Sequence, residues 1–201
     1  MRSAFDKLIS FTGLALAGVL LLAGGLLTWA NTFIDDQVHE QLSNQAITMP
    51  EGDALASLPK ADADALKPYA GSPLDSGPEA KAFANHYIAA HMNAMADGKT
   101  YEEVSGEYLQ MSDEQKASDE GQAAAGLRQS MFMGNTLRGM LLFGYAFATM
   151  GTIAGLSAIV AFGGATVLIL LFALGMWHAK RAKAQDAVAA PAAQAPQLVN
   201  A

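Results

Sequence analysis

The side chains that could bind a metal or perform catalysis in this sequence are four histidines and several groups of carboxylates. His86 and His91 fall on one predicted helix, but their separation of five positions turns the side chains about 140° apart. The zinc-binding helix of a metalloprotease places two histidines four positions apart, around a glutamate. An iron site of two histidines and a carboxylate could recruit Glu79 or Asp97, but their spacing does not support one. We therefore predict solvated or hydrogen-bonded histidines, no metal ligand and no cofactor.

The acidic residues do not form a recognisable catalytic or calcium-binding pattern. Asp62 and Asp64 resemble the first ligands of a calcium loop, but the glycine and the terminal glutamate of that loop are missing. Glu102, Glu103 and Glu107 fit one exposed face of a helix. The sequence therefore favours solvated carboxylates over a general acid and base.

Nucleophiles and phosphate-binding loops are not indicated either. The chain has no cysteine, which excludes disulfides, thiolate nucleophiles and zinc–thiolate sites. Ser105 and Ser130 have no recognisable base partner, and neither a glycine-rich phosphate loop nor a nucleophile elbow occurs. We predict that the protein is not an enzyme.

The longest elements predicted from the sequence are two segments without a charged side chain. They are Leu8–Trp29 and Gly139–Trp177. About 20 apolar residues are enough to cross the hydrocarbon core of a bilayer, which is roughly 30 Å thick. The first segment is close to that length, and the second is nearly twice as long. Both also lack histidine, so neither shows the polar residues that usually mark an ion path, and the sequence predicts an integral membrane protein.

The first segment is predicted to be an uncleaved membrane anchor. A signal peptide has the same basic start but a shorter apolar region of about 7–15 residues. The nearest match to a cleavage site, Thr28-Trp29-Ala30, is poor. Trp29 would lie at the far membrane interface, where amphipathic aromatic rings are favoured.

Basic residues beside the two segments predict the orientation. Two precede the first segment and three follow the second: Arg2 and Lys7, then Lys180, Arg181 and Lys183. Basic residues stay on the cytoplasmic side, so we expect both termini inside the cell and residues 31–138 outside.

The length of the second segment leaves two topologies to compare. In the first, Ser157–Trp177 crosses once, and Gly139–Leu156 extends the same helix outwards against the outer domain or a partner. In the second, a hairpin crosses twice, which fits the length but places the basic residues after the segment outside. The charges therefore favour one crossing.

The intervening residues 31–138 are acidic, with 17 acidic and 7 basic side chains and hence a net charge of −10. This balance disfavours nucleic acid and anionic lipid headgroups as partners. The length suits one small domain of about 100 residues. Strand-like character is limited to Gln45–Met49.

Prolines, glycines and capping signals divide this domain into helices. The predicted helices are Asp53–Leu58 and Asp62–Lys67, each capped by its aspartate, then Glu79–Ala96 and Tyr101–Leu109. Thr100 is a predicted cap, and the pattern from Ser112 to Gln115 is a capping box. From about Gln122 a helix should enter the membrane without a loop.

Small residues recur in the second apolar segment, beginning with a GxxxG pattern. The seven candidate packing residues are Gly151, Ala154, Gly155, Ser157, Ala158, Ala161 and Ala165. Helices in lipid associate by close approach of their backbones, because no hydrophobic drive operates between them. We expect these residues to pack against Leu8–Trp29 or against another subunit. Met131, Phe132, Met133, Met140 and Phe143 add an adaptable apolar surface.

Several turn and helix-start motifs are shared with a known family. They are Gln45-Ala46-Ile47-Thr48-Met49-Pro50, Tyr69-Ala70-Gly71-Ser72-Pro73-Leu74-Asp75-Ser76-Gly77-Pro78, Ala80–Ile88, Gly98-Lys99-Thr100-Tyr101 and Leu127-Arg128-Gln129-Ser130-Met131-Phe132. In these motifs the chain resembles small actinobacterial membrane proteins often labelled "aromatic ring-opening dioxygenase". The resemblance implies two transmembrane segments and an outer domain. It brings no residue set for ring cleavage, so we regard the activity in that label as spurious.

Together these patterns predict an all-α membrane protein in which two transmembrane helices flank a small, mostly helical extracytoplasmic domain. The predicted parts are an anchor over residues 1–30, an acidic outer domain over 31–138, a long apolar helix over 139–178 and a disordered cytoplasmic tail over 179–201.

The predicted function is that of a non-enzymatic accessory or scaffold subunit of a larger cell-envelope or membrane complex. Its expected partners are the lipid bilayer and either other membrane subunits or a second copy of the chain. The alternative is an anchored outer domain that binds or senses a ligand in a pocket between Glu79–Ala96 and its neighbours. An oxygenase is a third hypothesis, which would require a metal.

Overall fold

The computed structural model describes the backbone of residues 2–189 and the side chains of residues 5–184. Within this part of the chain the regular structure is helical, and extended pairing is limited to a single bridge between Thr48 and Pro73. The all-α prediction is therefore confirmed, and the bridge lies where the sequence indicated strand-like character.

Eight α-helices follow one another along the described residues. They are α1 (Arg2–Ser43), α2 (Gly52–Ala56), α3 (Lys60–Leu66), α4 (Gly77–Ala82), α5 (Ala89–Met95), α6 (Tyr101–Gln110), α7 (Asp113–Ala117) and α8 (Asp119–Ala189). A 3-10 turn, Lys67–Tyr69, follows α3, and a π-helical segment, Phe83–Ile88, joins α4 to α5. The helix predicted at Glu79–Ala96 is therefore present, but its middle is π-helical.

Helix α8 has 71 residues, which corresponds to about 106 Å at about 1.5 Å per residue. Asp119 and Glu120 lie in its first turn, where acidic side chains interact favourably with the helix dipole. No turn interrupts Gly139–Trp177, so this segment lies on one helix and contains no hairpin.

The C-terminal end of α8 differs from the sequence-based expectation. The helix continues to Ala189, so residues 179–189 are helical where a disordered tail was predicted to begin. The remaining part of that predicted tail, residues 190–201, lies outside the described residues.

The chain divides into two compact units. The first, which we call the helix pair, comprises residues 1–30 and 154–201, of which 2–30 and 154–189 are described. The second, which we call the helical domain, comprises Asn31–Ile153. Residues 139–153 thus belong to the same unit as the acidic domain.

In the helix pair, α1 and α8 run antiparallel with a nearly constant offset. Ser10 lies beside Gly175, and a Cβ at Gly164 would approach Leu20 Cδ1 at 3.2 Å. A Cβ at Gly24 would approach the ring of Phe162 at 2.9 Å. The step from Ser10 to Gly24 along α1 is therefore matched by a step of nearly equal length back along α8, from Gly175 to Phe162.

The helical domain has a core of large apolar side chains. Met49, Leu66 and Leu74 are the largest of its fully buried side chains. The chain around the bridge positions two of them, since Met49 N donates to Ser72 O at 2.8 Å and Leu74 N donates to Ile47 O at 2.8 Å. Burial of each such side chain stabilises the fold by about 1.5–3 kcal/mol.

Both long helices contribute to the domain. Leu42 from α1 and Leu141 from α8 are buried in the core. A smaller cluster joins Met92 of α5, Val104 of α6 and Met131 of α8. The core and the smaller cluster are thus both anchored on α8.

Local capping explains where the short helices begin. Thr100 Oγ1 accepts from Glu103 N at 3.3 Å, and Ser112 Oγ accepts from Gln115 N at 3.2 Å, so both predicted caps are confirmed. The predicted caps Asp53 and Asp62 are wrong, because they lie inside the first turns of α2 and α3. Those helices are instead preceded by Glu51 and Pro59.

Candidate functional site

Two helices of the described chain are long and apolar enough to cross a membrane by their length and composition. They cover Phe5–Ser43 of α1 and Asp119–Ala184 of α8. In the helix pair the large apolar side chains point away from the protein, with Leu22 73% exposed and Val160 74% exposed. Such a surface is unfavourable in water and suits hydrocarbon. Both helices are therefore candidate membrane spans.

The offset within the helix pair aligns its charge-free segments. Extending the observed neighbours, Ser10 with Gly175 and Gly24 with Phe162, places Leu8–Trp29 beside Ser157–Trp177. A helix over either segment is about 32 Å long at about 1.5 Å per residue, which matches a hydrocarbon core of roughly 30 Å. The aligned residues are those from which the sequence predicted two single crossings.

The seven candidate packing residues are divided between the two units. In the helix pair, Ala158, Ala161 and Ala165 are buried, and Ala154, Gly155 and Ser157 are half-buried. In the helical domain, Gly151 is buried, and a Cβ there would lie 3.1 Å from Ile34 Cγ2. The buried alanines lie in a unit built from α1 and α8, which favours packing against α1 over packing against another subunit.

A polar contact at the end of the first apolar segment was not predicted. Asn31 Nδ2 donates to Gly151 O at 2.9 Å, joining α1 to α8 within the helical domain. The absence of a side chain at Gly151 leaves its carbonyl accessible to a neighbouring helix. The sequence signal was a lone asparagine shortly after the apolar run, opposite a glycine 120 residues away.

At the other end of the helix pair, polar and basic side chains lie close together. His178 Nδ1 lies 3.3 Å from Asp6 Oδ2. The guanidinium of Arg181 lies 4.0 Å from the centre of the Trp177 ring, a cation–π contact. Ser10 is buried, and its hydroxyl donates to Asp6 O at 2.7 Å within the same helix.

The π-helical segment is the least expected feature of the helical domain. A π-helical turn pairs each carbonyl with the amide five residues later, one residue beyond the α-helical partner. Arg138 Nε of α8 donates to Ala84 O at 3.0 Å, and Arg138 Nη2 donates to Asn85 Oδ1 at 3.4 Å. Ala84 O also accepts from Ala89 N, so the guanidinium adds a second donor to this carbonyl and ties α8 to the π-helical segment.

The histidines predicted to be solvated or hydrogen-bonded make separate contacts. His86 Nδ1 lies 2.8 Å from Asp62 Oδ1, which links the π-helical segment to α3. His91 Nδ1 lies 2.8 Å from Tyr87 O, and its ring lies 4.3 Å from the Tyr87 ring. Among the described residues no group of three His, Asp or Glu side chains is arranged to hold a metal ion.

Three of the carboxylates considered as a dyad or a calcium site make local contacts. Lys60 donates a hydrogen bond to Asp64. This bond and the positive charge of Lys60 lower the pKa of the Asp64 carboxyl. Glu103 accepts from Thr100 N at 2.7 Å as part of its cap, and this bond lowers the pKa of Glu103. Glu107 pairs with Lys99 Nζ at 2.7 Å. Each of these acids thus has a local structural contact.

The two serines considered as nucleophiles, Ser105 and Ser130, lie in different environments. Ser105 is buried, and its Oγ accepts from Arg128 Nε at 2.9 Å. An arginine donor holds the hydroxyl but does not remove its proton, because guanidinium is already protonated. Ser130 is exposed on α8.

Glu79 is the most heavily hydrogen-bonded carboxylate that the structure describes. Its Oε2 accepts from Asp75 N at 3.1 Å, Ser76 N at 3.0 Å and Ser76 Oγ at 2.9 Å, and its Oε1 accepts from Ser72 Oγ at 3.0 Å. Burial raises the pKa of Glu79, but these bonds together outweigh it and leave the pKa below its ordinary value. Glu79 therefore ties the preceding loop to the start of α4.

An exposed apolar stripe runs along α8 in the helical domain. We define the apolar stripe as Phe132, Met133, Leu137, Met140, Phe143, Phe147 and Met150. Phe143 is 68% exposed and Met140 is 62% exposed. Three residues of the stripe, Met140, Phe147 and Met150, line a groove of about 430 Å³, whose other side is formed by residues 33–45 at the end of α1 and just after it.

No family model matches the chain, and neither the curated proteins nor the solved structures include a match to it.

Proposed function

We propose that this protein is a non-enzymatic integral membrane protein that serves as an accessory or scaffold subunit of a larger cell-envelope or membrane complex. The observation that carries the proposal is the apolar stripe, because large methionine and phenylalanine side chains exposed together outside a membrane mark a binding surface. Methionine-rich surfaces adapt to a partner's shape.

The membrane part of the proposal rests on the aligned charge-free segments. In it, Leu8–Trp29 and Ser157–Trp177 cross the hydrocarbon once each, with both termini in the cytoplasm. Residues 31–138 then lie outside the membrane. The basic residues at the N-terminus and after Trp177 support this orientation.

In this placement the whole stripe precedes the crossing segment Ser157–Trp177 in the sequence, so it lies outside the residues assigned to hydrocarbon. Met150 precedes Ser157 by about two helical turns, and Phe132 precedes it by about seven turns. Seven turns contain about 25 residues, which is more than the roughly 20 residues of helix that cross the hydrocarbon core. A protein partner that covers the stripe accounts for its exposure.

A binding experiment with matched variants tests this function. The chain is expressed at its endogenous level with an affinity tag, extracted in mild detergent and purified under native conditions. We expect stoichiometric membrane subunits to co-purify. The double variant M140S/F143S should lose them, because both side chains are exposed on the stripe.

The matched control is the double variant M95S/L109S. Met95 is 51% exposed and Leu109 is 60% exposed, and both lie on helices of the helical domain other than α8, which carries the stripe. This variant should retain the partners. A chain that purifies alone, or partners lost equally from both variants, contradicts the proposed function.

A second candidate function is a membrane-anchored domain that binds or senses a ligand. The groove between α1 and α8 favours it, since about 430 Å³ is within the size range of small-molecule sites. Its walls include Val38, Leu42 and Phe147, with Gln37 and Gln41 as polar groups. Recovery of one bound small molecule with the purified chain, and of no protein partner, would favour this candidate.

A further inference from the structure

A cleft on the helix pair has a shape and chemistry that the proposed function does not use. It lies between residues 6–13 of α1 and residues 168–178 of α8 and has a volume of about 480 Å³. Both walls belong to the same unit. We propose that this cleft, which we call the lipid cleft, binds one acyl chain of an anionic phospholipid, with the headgroup at its basic end.

The depth of the cleft fits one leaflet. The cleft follows α8 from Leu168 to His178, a helical length of about 15 Å. Half of a hydrocarbon core of roughly 30 Å is the same length. An acyl chain that enters beside His178 would therefore end where its own leaflet ends.

The lining of the cleft suits hydrocarbon and gives water little to bind. Its walls include Ile9 and Leu171, which are 60% and 56% exposed. Gly13 leaves room in the cleft because it has no side chain, and a Cβ there would meet nothing within 4 Å. The buried Ser10 hydroxyl already donates a hydrogen bond to Asp6 O, so it needs no polar ligand in the cleft.

The rim of the cleft favours a negatively charged headgroup. Asp6 is the one acidic residue lining the cleft, and its carboxylate lies 3.3 Å from His178 Nδ1. Arg181 stacks at 4.0 Å on Trp177, an amphipathic ring suited to the headgroup level. Lysine and arginine beside the membrane attract anionic lipids. Those that follow the cleft on α8 or lie beside it on α1 are Lys180, Arg181, Lys183 and Lys7.

This inference rests on the proposed membrane placement of the helix pair, and its test separates the two. The full chain is purified in mild detergent, mixed with phosphatidylglycerol or with phosphatidylcholine of the same acyl chains, and analysed by native mass spectrometry. We expect one phosphatidylglycerol to remain bound per chain, with retention of phosphatidylcholine lower by about tenfold. An excess of inorganic phosphate should not displace the lipid, because the acyl chain supplies most of the contact.

Two glycines of α1 provide the decisive variants. A Cβ at Gly13 meets nothing within 4 Å, so Gly13→Leu should fill the lipid cleft without a clash and reduce lipid retention by about tenfold. A Cβ at Gly25 also meets nothing within 4 Å, but Gly25 does not line the cleft, so Gly25→Leu should retain the lipid. Leu171→Trp narrows the cleft from α8 and serves as an independent second variant.

The variant R181Q/K180Q tests whether the basic residues recognise the charge of the headgroup. It should abolish the preference for phosphatidylglycerol over phosphatidylcholine while a lipid still binds. Equal loss from Gly13→Leu and Gly25→Leu, or equal retention of both lipids by the unmodified chain, overturns the inference. If the chain resists carbonate extraction from membranes but retains no lipid, this inference alone is wrong. If carbonate removes the chain from membranes, the proposed function is wrong as well.

Discussion

The helix pair and the helical domain are built from parts of the same two long helices, yet they bury opposite kinds of side chain. In the helix pair the buried residues are small, such as Ala17 and Ala165, and Leu22 is 73% exposed. In the helical domain Leu66 and Met49 are fully or almost fully buried. Water drives large apolar side chains into a core, whereas hydrocarbon leaves them outside and favours close backbone approach.

In the proposed membrane placement, the surrounding solvent, and not the helix itself, decides which residues form the interior. Helix α8 supplies Leu141 to the core of the helical domain and Ala158 to the interior of the helix pair. The kind of residue that the same helix buries therefore changes along its length. The following predictions test that change.

The largest effect should come from the core of the helical domain. Leu66→Ala removes a fully buried side chain, so we expect the free energy of unfolding of the domain to fall by about 2–5 kcal/mol. The matched variant Leu22→Ala removes an exposed side chain and should change stability by about 0.5 kcal/mol or less. Hydrogen exchange of the amides in each unit, measured in detergent, gives both values. Equal effects would mean that the two units follow one packing rule.

The next effect concerns the π-helical segment, which the helical domain has and the helix pair lacks within the described residues. Arg138→Gln removes the side-chain donor to Ala84 O, and we expect a loss of about 1.5–3 kcal/mol because the bond that is lost is made by a charged group. Hydrogen exchange in α4, the π-helical segment and α5 should quicken. Arg138→Lys keeps the charge and should lose less. Unchanged exchange in Arg138→Gln would show that this contact does not support the segment.

The stability of the helix pair should depend on side-chain size only on the face of α1 that packs against α8. Gly24→Leu places a side chain against the Phe162 ring, and overpacking should cost about 1–3 kcal/mol in thermal unfolding of the detergent-solubilised chain. Gly25→Leu, the neighbouring position with nothing within 4 Å, should be close to neutral. Phe162→Ala should relieve the cost of Gly24→Leu. A cost that Phe162→Ala leaves unchanged would argue against this register.

The smallest effect should be a pH dependence confined to the helical domain. Glu79→Gln weakens four hydrogen bonds of one carboxylate and should cost about 1 kcal/mol at neutral pH. The folded pKa of Glu79 is lower than its ordinary value of 4.5, so the unfolded chain binds the proton more readily. The contribution is therefore present above pH 4.5 and is lost as the pH falls through the folded pKa. Urea unfolding across this range should show the difference between Glu79→Gln and the unmodified chain shrinking as the pH falls, and a difference that stays constant would contradict this account.

The sequence predicted the features that depend on neighbours along the chain. The caps at Thr100 and Ser112 and the uninterrupted Gly139–Trp177 helix follow from local patterns of charge, size and hydrogen bonding. The candidate packing residues were recognised by their small size. Which surface they pack against could not be predicted, because pattern alone does not distinguish α1 from another subunit.

Features that depend on distant residues were missed. The π-helical segment is supported by Arg138, which lies 54 residues from Ala84. The contacts of Asn31 with Gly151 and of Asp62 with His86 span 120 and 24 residues. Each needs the tertiary structure to bring the partners together, so no local periodicity indicates it.

The central claim is that each of the two aligned segments crosses the membrane once, with the helical domain outside. The absence of native cysteine allows single cysteines to be placed cleanly. The test labels intact cells carrying Ser57→Cys, Val167→Cys or Lys183→Cys with a membrane-impermeant maleimide, before and after permeabilisation. We predict that Ser57→Cys is labelled in intact cells, Val167→Cys in neither condition and Lys183→Cys only after permeabilisation. Labelling of Lys183→Cys in intact cells, or of Ser57→Cys only after permeabilisation, would contradict the account.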